Sequence, residues 1–323
     1  MSSATETSDG LRVNIVKGTH SELILFLVLN MWPSHLGLPI LIAIVLFSKR
    51  VYRHPTFLNL CVAFVISGLS SSLLVYARRT TGPEPSRMLC LLQSSLLYGV
   101  PPLLSTAAFT LVLQMFFTIR AAFFGREYND GDHFIRLWVM LVSPYLAFLV
   151  CILATATVGA ANPSKVSRSR RFFYCSLESS PLTNTLTVYS AIILLSTTVV
   201  VVWTMALLYK HLSIDKAARP KWKMDLSLPV RIIVFGIYTT IALSLSLLSI
   251  HSPSTPVPDI VIASAATLHV LVFGSQKDIL SVLFFWKRPF PQEVSEEYHV
   301  DLKAVFEEEA RSGVKRNKTV VIG

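Results

Sequence analysis

From Leu89 to Ile119 the chain reads LCLLQSSLLYGVPPLLSTAAFTLVLQMFFTI, without one charged side chain. An α-helix rises about 1.5 Å per residue, so the interval from Cys90 to Arg120 covers roughly 45 Å. That is a hydrocarbon core of about 30 Å with a headgroup layer on each side. A helix in a soluble core rarely extends so far without a polar face, so the stretch reads as a transmembrane helix that starts near Cys90 and leaves the bilayer at Arg120. Gln93, Ser94, Ser105, Thr106 and Gln114 are its inner polar marks. Pro101 and Pro102 sit mid-span, where they remove backbone donors and are expected to bend the helix. A membrane tolerates this only when neighbouring helices satisfy the freed carbonyls, so the stretch requires a bundle around it.

The remaining sequence supplies one. Only 15% of the 323 residues are charged and 52% are hydrophobic, whereas a soluble domain carries about 25% charged residues. Seven apolar spans follow from hydropathy: Leu23–Phe47, Phe57–Ala77, Leu89–Ile119, Leu137–Val158, Leu186–Tyr209, Leu228–Ile250 and Ile260–Leu283. The expected fold is an all-α membrane protein, a seven-transmembrane helix bundle (23–283) between a polar N-terminal segment (1–22) and a tail (284–323). The N-terminal segment lacks the basic start and apolar middle of a cleavable signal, so the first span is expected to act as its own. The formal charge of +10 does not point to nucleic acid, because the cations are spread among short loops, where they anchor at lipid headgroups.

Loop charge sets the orientation. The loops 48–55, 120–136 and 210–225 with the start of the tail hold 13 Lys and Arg, against 9 on the other side. The positive-inside bias therefore puts the C-terminus in the cytoplasm and the N-terminus outside. This topology leaves Cys90 and Cys175 facing the oxidising compartment, with Cys61 and Cys151 inside apolar spans. In the tail, Val294, Tyr298, Leu302, Val305 and Phe306 recur at helical spacing among acids. A short amphipathic helix and an acidic disordered tail both fit them.

Several residues stand out as candidates for function. On the cytoplasmic side Arg120 is followed by AAFFGREYNDGDHFIR, with Arg126 and an expected turn at Asn129-Asp130-Gly131. The loop KHLSIDKAARPKWKMD adds Lys210, Lys216, Arg219, Lys221 and Lys223. These cations fit either headgroup anchoring or a face that binds a cytoplasmic partner. Ionisable residues deep in the membrane are functional candidates by default; here they are His35 and His269. For His269 a helix-to-helix hydrogen bond and a ligand contact are both open. Pro33, His35, Gly37 and Pro39 mark a distorted first helix. The outer loop NPSKVSRSRRFFYCS joins four cations to Phe172, Phe173 and Tyr174, and reads either as a solvated basic loop or as a lid over a pocket. No His-x-x-x-His or paired acid lies within the spans, which argues against a zinc hydrolase and, more broadly, against an enzyme. A retinal protein would need a mid-span lysine, but Lys277 stands near the cytoplasmic end. No cofactor or metal is expected.

RHPTFLNLCVAFVISGLSSSLLVY, CLLQSSLLYGVPPLLSTAAFTLVLQM, SPYLAFLV, NPSKVSRSRRFFYCSLE and FGSQKDILSVLFFW together span most of Arg53–Trp286. In these stretches the chain resembles the orphan seven-helix G-protein-coupled-receptor-like proteins of mushroom-forming fungi. The resemblance implies a plasma-membrane chemoreceptor, an outside ligand that is a small molecule or peptide, and a cytoplasmic heterotrimeric G protein. It also implies a cysteine bridge from the third span to the outer loop, carried here onto Cys90 and Cys175. Such a bridge would hold Phe172, Phe173 and Tyr174 near Gln93 and Tyr98, as the roof of a ligand pocket to which His269 is a further candidate. Departures from rhodopsin-like receptors are plain: Phe117-Thr118-Ile119-Arg120 replaces their acidic-Arg-aromatic triplet, and Gly274-Ser275-Gln276-Lys277-Asp278 replaces Asn-Pro-x-x-Tyr. A small-solute transporter or channel is the alternative from another class, although neither repeats between halves nor mid-depth gating residues are evident.

The orientation is directly testable. An epitope inserted after residue 2 is expected to be digested by protease added to sealed cells; a protected epitope overturns the assigned topology.

Overall fold

The computed structural model describes residues 19–48, 51, 53–82, 84–124, 130–168, 171, 173–215, 230–238, 240–241, 244 and 256–283, the side chains of 122–133 and 211–215 excepted. In chain order the helices are α1 (His20–Trp32), α2 (Leu38–Phe47), α3 (Pro55–Ser71), α4 (Leu73–Tyr76), α5 (Arg87–Phe124), α6 (Asp130–Ala161), α7 (Ser180–Asp215), α8 (230–238), α9 (Val257–Gly274) and α10 (Lys277–Leu283). Five stretches are long and apolar enough to cross a membrane: His20–Phe47, Arg87–Ala121, Phe134–Ala161, Ser180–Lys210 and Val257–Gly274. Pro55–Ser71 is a shorter apolar helix. This is the architecture of an all-α, multi-pass membrane protein. Of the expected sixth span only 230–238, 240–241 and 244 are described, and the tail lies outside the described residues.

Local chemistry explains where the helices begin and how they change course. Thr19 and Glu22 close a capping box at the start of α1: the Thr19 hydroxyl accepts from the Glu22 N–H, and the Glu22 carboxylate accepts from the Thr19 N–H at 2.7 Å. The distortion expected around Pro33 is a π-helical turn, Pro33–Gly37, through which α1 passes directly into α2. The second span is interrupted at Ser72, which separates α3 from α4. Helix α5 continues through both Pro101 and Pro102 and is longer than hydropathy alone suggests. The turn expected at Asn129-Asp130-Gly131 is different: Asp130 and Gly131 already belong to α6, and Asn129 lies outside the described residues.

Helix α5 is the axis of the bundle. It packs on α3, α6, α7 and a two-stranded hairpin, and 67% of its apolar window is buried, against 17% for α6 and 28% for α7. The two peripheral helices expose Val142, Leu146, Leu149 and Leu153 on α6 and Val188, Ile192, Leu195, Val199 and Val202 on α7. These stripes recur every three or four residues, the period of one helix face. Water would penalise such surfaces, whereas lipid tails accept them.

Few polar side chains tie the helices together, and most pair directly. Thr106 of α5 meets the Tyr189 hydroxyl of α7 at 2.9 Å. Asn59 of α3 donates to the Leu141 carbonyl of α6 at 3.2 Å. Tyr238 of α8 is 2.5 Å from the Ser264 hydroxyl of α9. At the end of the bundle away from the hairpin, Arg53 is paired with Asp278 and Gln276. Arg231 donates there to the Ser275 hydroxyl at 2.7 Å and also to the Val272 carbonyl.

Glycines let helix backbones approach closely. A Cβ on Gly68 of α3 would collide with the Ser34 side chain in the π-turn and would lie 2.9 Å from the Asn30 carbonyl oxygen. Backbone cannot swing aside as a flexible side chain can, so Gly68→Ala should destabilise the protein by about 1–3 kcal/mol, as overpacking usually does. A melting point equal to that of the wild type in the same detergent would disprove this close contact.

Candidate functional site

The basic outer loop folds back over one end of the bundle. Asn162 ends α6, Pro163–Lys165 makes a 3₁₀ turn, and β1 (Val166–Ser167) pairs antiparallel with β2 (Ser176–Leu177), Val166 opposite Leu177 and Ser167 opposite Ser176. Neither strand is long enough to show an alternating pattern in sequence; side chains from the helices hold them. A Cys90–Cys175 disulfide, with Cα atoms 5.2 Å apart, fastens β2 to the start of α5. The Gln93 side-chain carbonyl accepts from the Cys175 N–H at 3.1 Å, and the Tyr98 hydroxyl donates to the Leu177 carbonyl at 2.6 Å. The Arg168 guanidinium donates to the Arg79 and Thr80 carbonyls at 3.0 and 3.2 Å, which ties the hairpin to the turn after α4. The hairpin is thus a fixed lid, and Arg168 is a structural arginine inside a loop that reads as a solvated basic run.

Two aromatic residues carry the lid into the bundle. Phe173 stacks on Phe26 of α1 with ring centroids 4.8 Å apart, inside a cluster with Leu23 and Ala263. The Tyr174 hydroxyl donates to Oδ1 of Asp259 in the first turn of α9 at 2.9 Å. Burial first, and then the Asp259 carboxylate, push the Tyr174 phenol above its ordinary range, so it stays a neutral donor at physiological pH. Arg171 interacts electrostatically with both Tyr174 and Asp259.

Beneath the lid lies a cavity of about 140 Å³. At the lid end its wall is polar: Tyr98, Arg171, Tyr174, Ser176, Thr183 and Asp259, with Ser190 lower on α7. The rest of the wall is mostly apolar, formed by Phe26, Phe64, Leu97, Leu104 and Ala266 among others, with Asn30 of α1 and Ser67 and Ser71 of α3 between them.

The residues singled out by sequence fall in several places. Tyr98 and Tyr174 line the cavity. Gln93 and Phe173 do not line it; they hold the lid. Phe172 lies outside the described residues. His269 is fully buried outside the cavity wall, among Phe57, Phe64, Phe235 and Phe273, with Nε2 3.3 Å from the Cys61 sulfur. That arrangement is the helix-to-helix contact open for it in the sequence. His35 reaches the Tyr76 hydroxyl across from α4. Arg120 and Lys210 are exposed near the far ends of α5 and α7, while Arg126, Lys216, Arg219, Lys221 and Lys223 lie outside the described residues. Among the described residues no three metal-ligating side chains gather.

Asp259 and Arg171, like Ser176, Thr183 and Ser190, are wall residues that sequence reasoning passed over. Asp259 stands immediately before a span and Arg171 in a run of cations, so each reads as solvated. The available signal was position, since an acid one residue ahead of an apolar run falls in the first turn of the helix and points along the bundle. Compared with family models and with curated proteins, the chain matches none.

The lid stands on its disulfide. Non-reducing mass spectrometry should recover the peptides of Cys90 and Cys175 as one linked species, and free thiols at both positions would contradict the structure. Cys175→Ser should lower stability by about 2–4 kcal/mol in denaturant unfolding, the usual worth of such a cross-link.

Proposed function

We propose that this chain is a plasma-membrane chemoreceptor of the G-protein-coupled type, which binds a small extracellular ligand beneath the lid and signals to a heterotrimeric G protein. In this reading the bundle has seven spans: α3 and α4 form the second, and α8 begins the sixth. The N-terminus and the lid face outside. Arg120, Arg126, Lys210, Lys216, Arg219, Lys221 and Lys223 form the cytoplasmic face that meets the G protein. The resemblance to the orphan seven-helix receptors of mushroom-forming fungi supports this assignment.

The observation that carries it is the cavity, closed on one side by a disulfide-tethered lid and lined there by buried polar atoms. A transporter reading has less support. Below the cavity, Phe57, Phe64, Phe235, His269 and Phe273 fill the centre with packed rings. Such a plug suits a protein that senses an occupant at one end more than one that passes it through.

The test is recruitment of a fungal Gα subunit in a reporter cell screened with small molecules. At least one compound is expected to raise recruitment by the wild type and to fail with Ala263→Phe, which fills the cavity. Neutralising Lys216, Arg219, Lys221 and Lys223 together should abolish recruitment while surface expression persists. If recruitment is unchanged by that variant, the coupling face is misassigned; if no Gα associates under any condition, the receptor reading fails.

A further inference from the structure

Four polar atoms on the cavity wall have no hydrogen-bond partner among the described residues: Asp259 Oδ2, Ser176 Oγ, Thr183 Oγ1 and Ser190 Oγ. Asp259, Ser176 and Ser190 are 6%, 3% and 2% exposed. A buried polar group left unpaired costs stability, so a cluster around one space marks a place where a further molecule completes the bonding. Each atom limits what that molecule is. The free oxygen of a carboxylate only accepts, so the occupant must donate a hydrogen bond to it. The three hydroxyls both donate and accept, so the same group can also receive one.

Charge narrows the class further. Arg171 and Asp259 share the lid end and already offset one another. An ammonium group would bring a second cation beside Arg171, and a carboxylate would bring a second anion beside Asp259; either is disfavoured where water is scarce. A neutral group that donates and accepts meets neither penalty. Beyond the lid end the wall is mostly apolar, with Phe64, Leu97, Val100, Leu104, Ile262 and Ala266; Asn30, Ser67 and Ser71 also border it, and Asn30 and Ser71 donate back to their own helices, so this part suits a hydrocarbon body. The volume of about 140 Å³ is close to that of cavities which take a single aromatic ring.

We infer that the cavity binds a small neutral alcohol, its hydroxyl set among Asp259, Ser176, Thr183 and Ser190 and its apolar body directed toward Phe64 and Leu104. This rests on reading the cavity as a ligand site, and it names the ligand's chemical class.

The experiment uses the full chain, disulfide intact, in nanodiscs, and measures saturable binding of hexan-1-ol, hexylamine and hexanoic acid by ligand-observed NMR. Empty nanodiscs and the Ala263→Phe variant report partition into lipid. Hexan-1-ol is expected to bind saturably, with the amine and the acid at least about tenfold weaker, the scale of one charge-assisted hydrogen bond. Asp259→Asn should reverse the order, weakening the alcohol and favouring hexanoic acid, because the negative charge that repels an acid is then removed while Arg171 stays in the wall. Loss of fold alone would weaken all three probes together and would not exchange their ranks. If Asp259→Asn does not yield monodisperse protein, Ser190→Ala decides, with hexan-1-ol expected to weaken about threefold or more.

The inference is overturned if the amine or the acid binds the wild type as tightly as the alcohol. It is equally overturned if hexan-1-ol uptake does not saturate or is the same in Ala263→Phe, if Asp259→Asn keeps the original order, or if Ser190→Ala changes nothing. The receptor reading fails by a different measurement, the absence of Gα recruitment, which leaves these binding results as they are.

Discussion

A helix that carries no charge for thirty residues has nothing on its surface to offer water, so it persists only where other apolar surfaces enclose it. Helix α5 is in that position, and the bundle follows from how it is covered: α3, α6 and α7 pack along its length, and the hairpin sits at its start. The two prolines within α5 turn this scaffold toward function. Pro101 and Pro102 have no N–H, so the carbonyls of Leu97 and Tyr98 lose their usual helical donors. Leu97, Tyr98 and Pro101 all border the cavity. The most adaptable stretch of the central backbone therefore lies beside the space under the lid.

Polar groups inside the bundle divide into two kinds. Most Ser and Thr side chains donate back to their own helix, as Thr187, Thr197, Thr198 and Thr204 do on α7. These bonds satisfy the hydroxyl without a partner helix and say little about function. Among the described residues, four unpaired side-chain oxygens, those of Ser176, Thr183, Ser190 and Asp259, instead border one cavity. Other unpaired buried atoms, such as Ser72 Oγ, Gln93 Nε2 and His269 Nδ1, are not on the cavity wall; what sets the four apart is that they share one space. The lid uses the same economy: a side-chain amide, a phenol and a guanidinium each close a backbone group of the hairpin or its neighbouring turn.

The apolar helices were readable from hydropathy because bilayer thickness imposes a length on them. The distortion near Pro33 was readable because proline chemistry is local. The second span was harder: the break at Ser72 falls in a run of serines whose composition resembles the helix on either side. The hairpin was not readable, since a two-residue strand has no periodicity and owes its shape to Gln93, Tyr98 and Cys90 on another element. For the cavity, Tyr174 stood out as an aromatic residue in the outer loop, and Tyr98 only through the bridge that the resemblance implies. Asp259 and Arg171 did not, because a charge at a span boundary ordinarily means solvent, and only the folded lid takes the solvent away. His269 was singled out as an ionisable group in the membrane, yet four phenylalanines around it make it part of the packing.

The bridge between Cys90 and Cys175 closes a separation of 85 residues in the chain. At translation rates of about 5–20 residues per second, Cys90 waits roughly 4–17 s for its partner to be synthesised. Until then α5 and α6 are made without a lid, and the residues of α7 and α9 that complete the cavity wall are still to come. Cys61 is buried on α3 and Cys151 lies along α6, so neither competes for the waiting thiol at the mouth of the bundle. Biogenesis thus has an order built into it: the hairpin can be tied to α5 as soon as Cys175 is made, before the walls of the cavity that α7 and α9 supply exist.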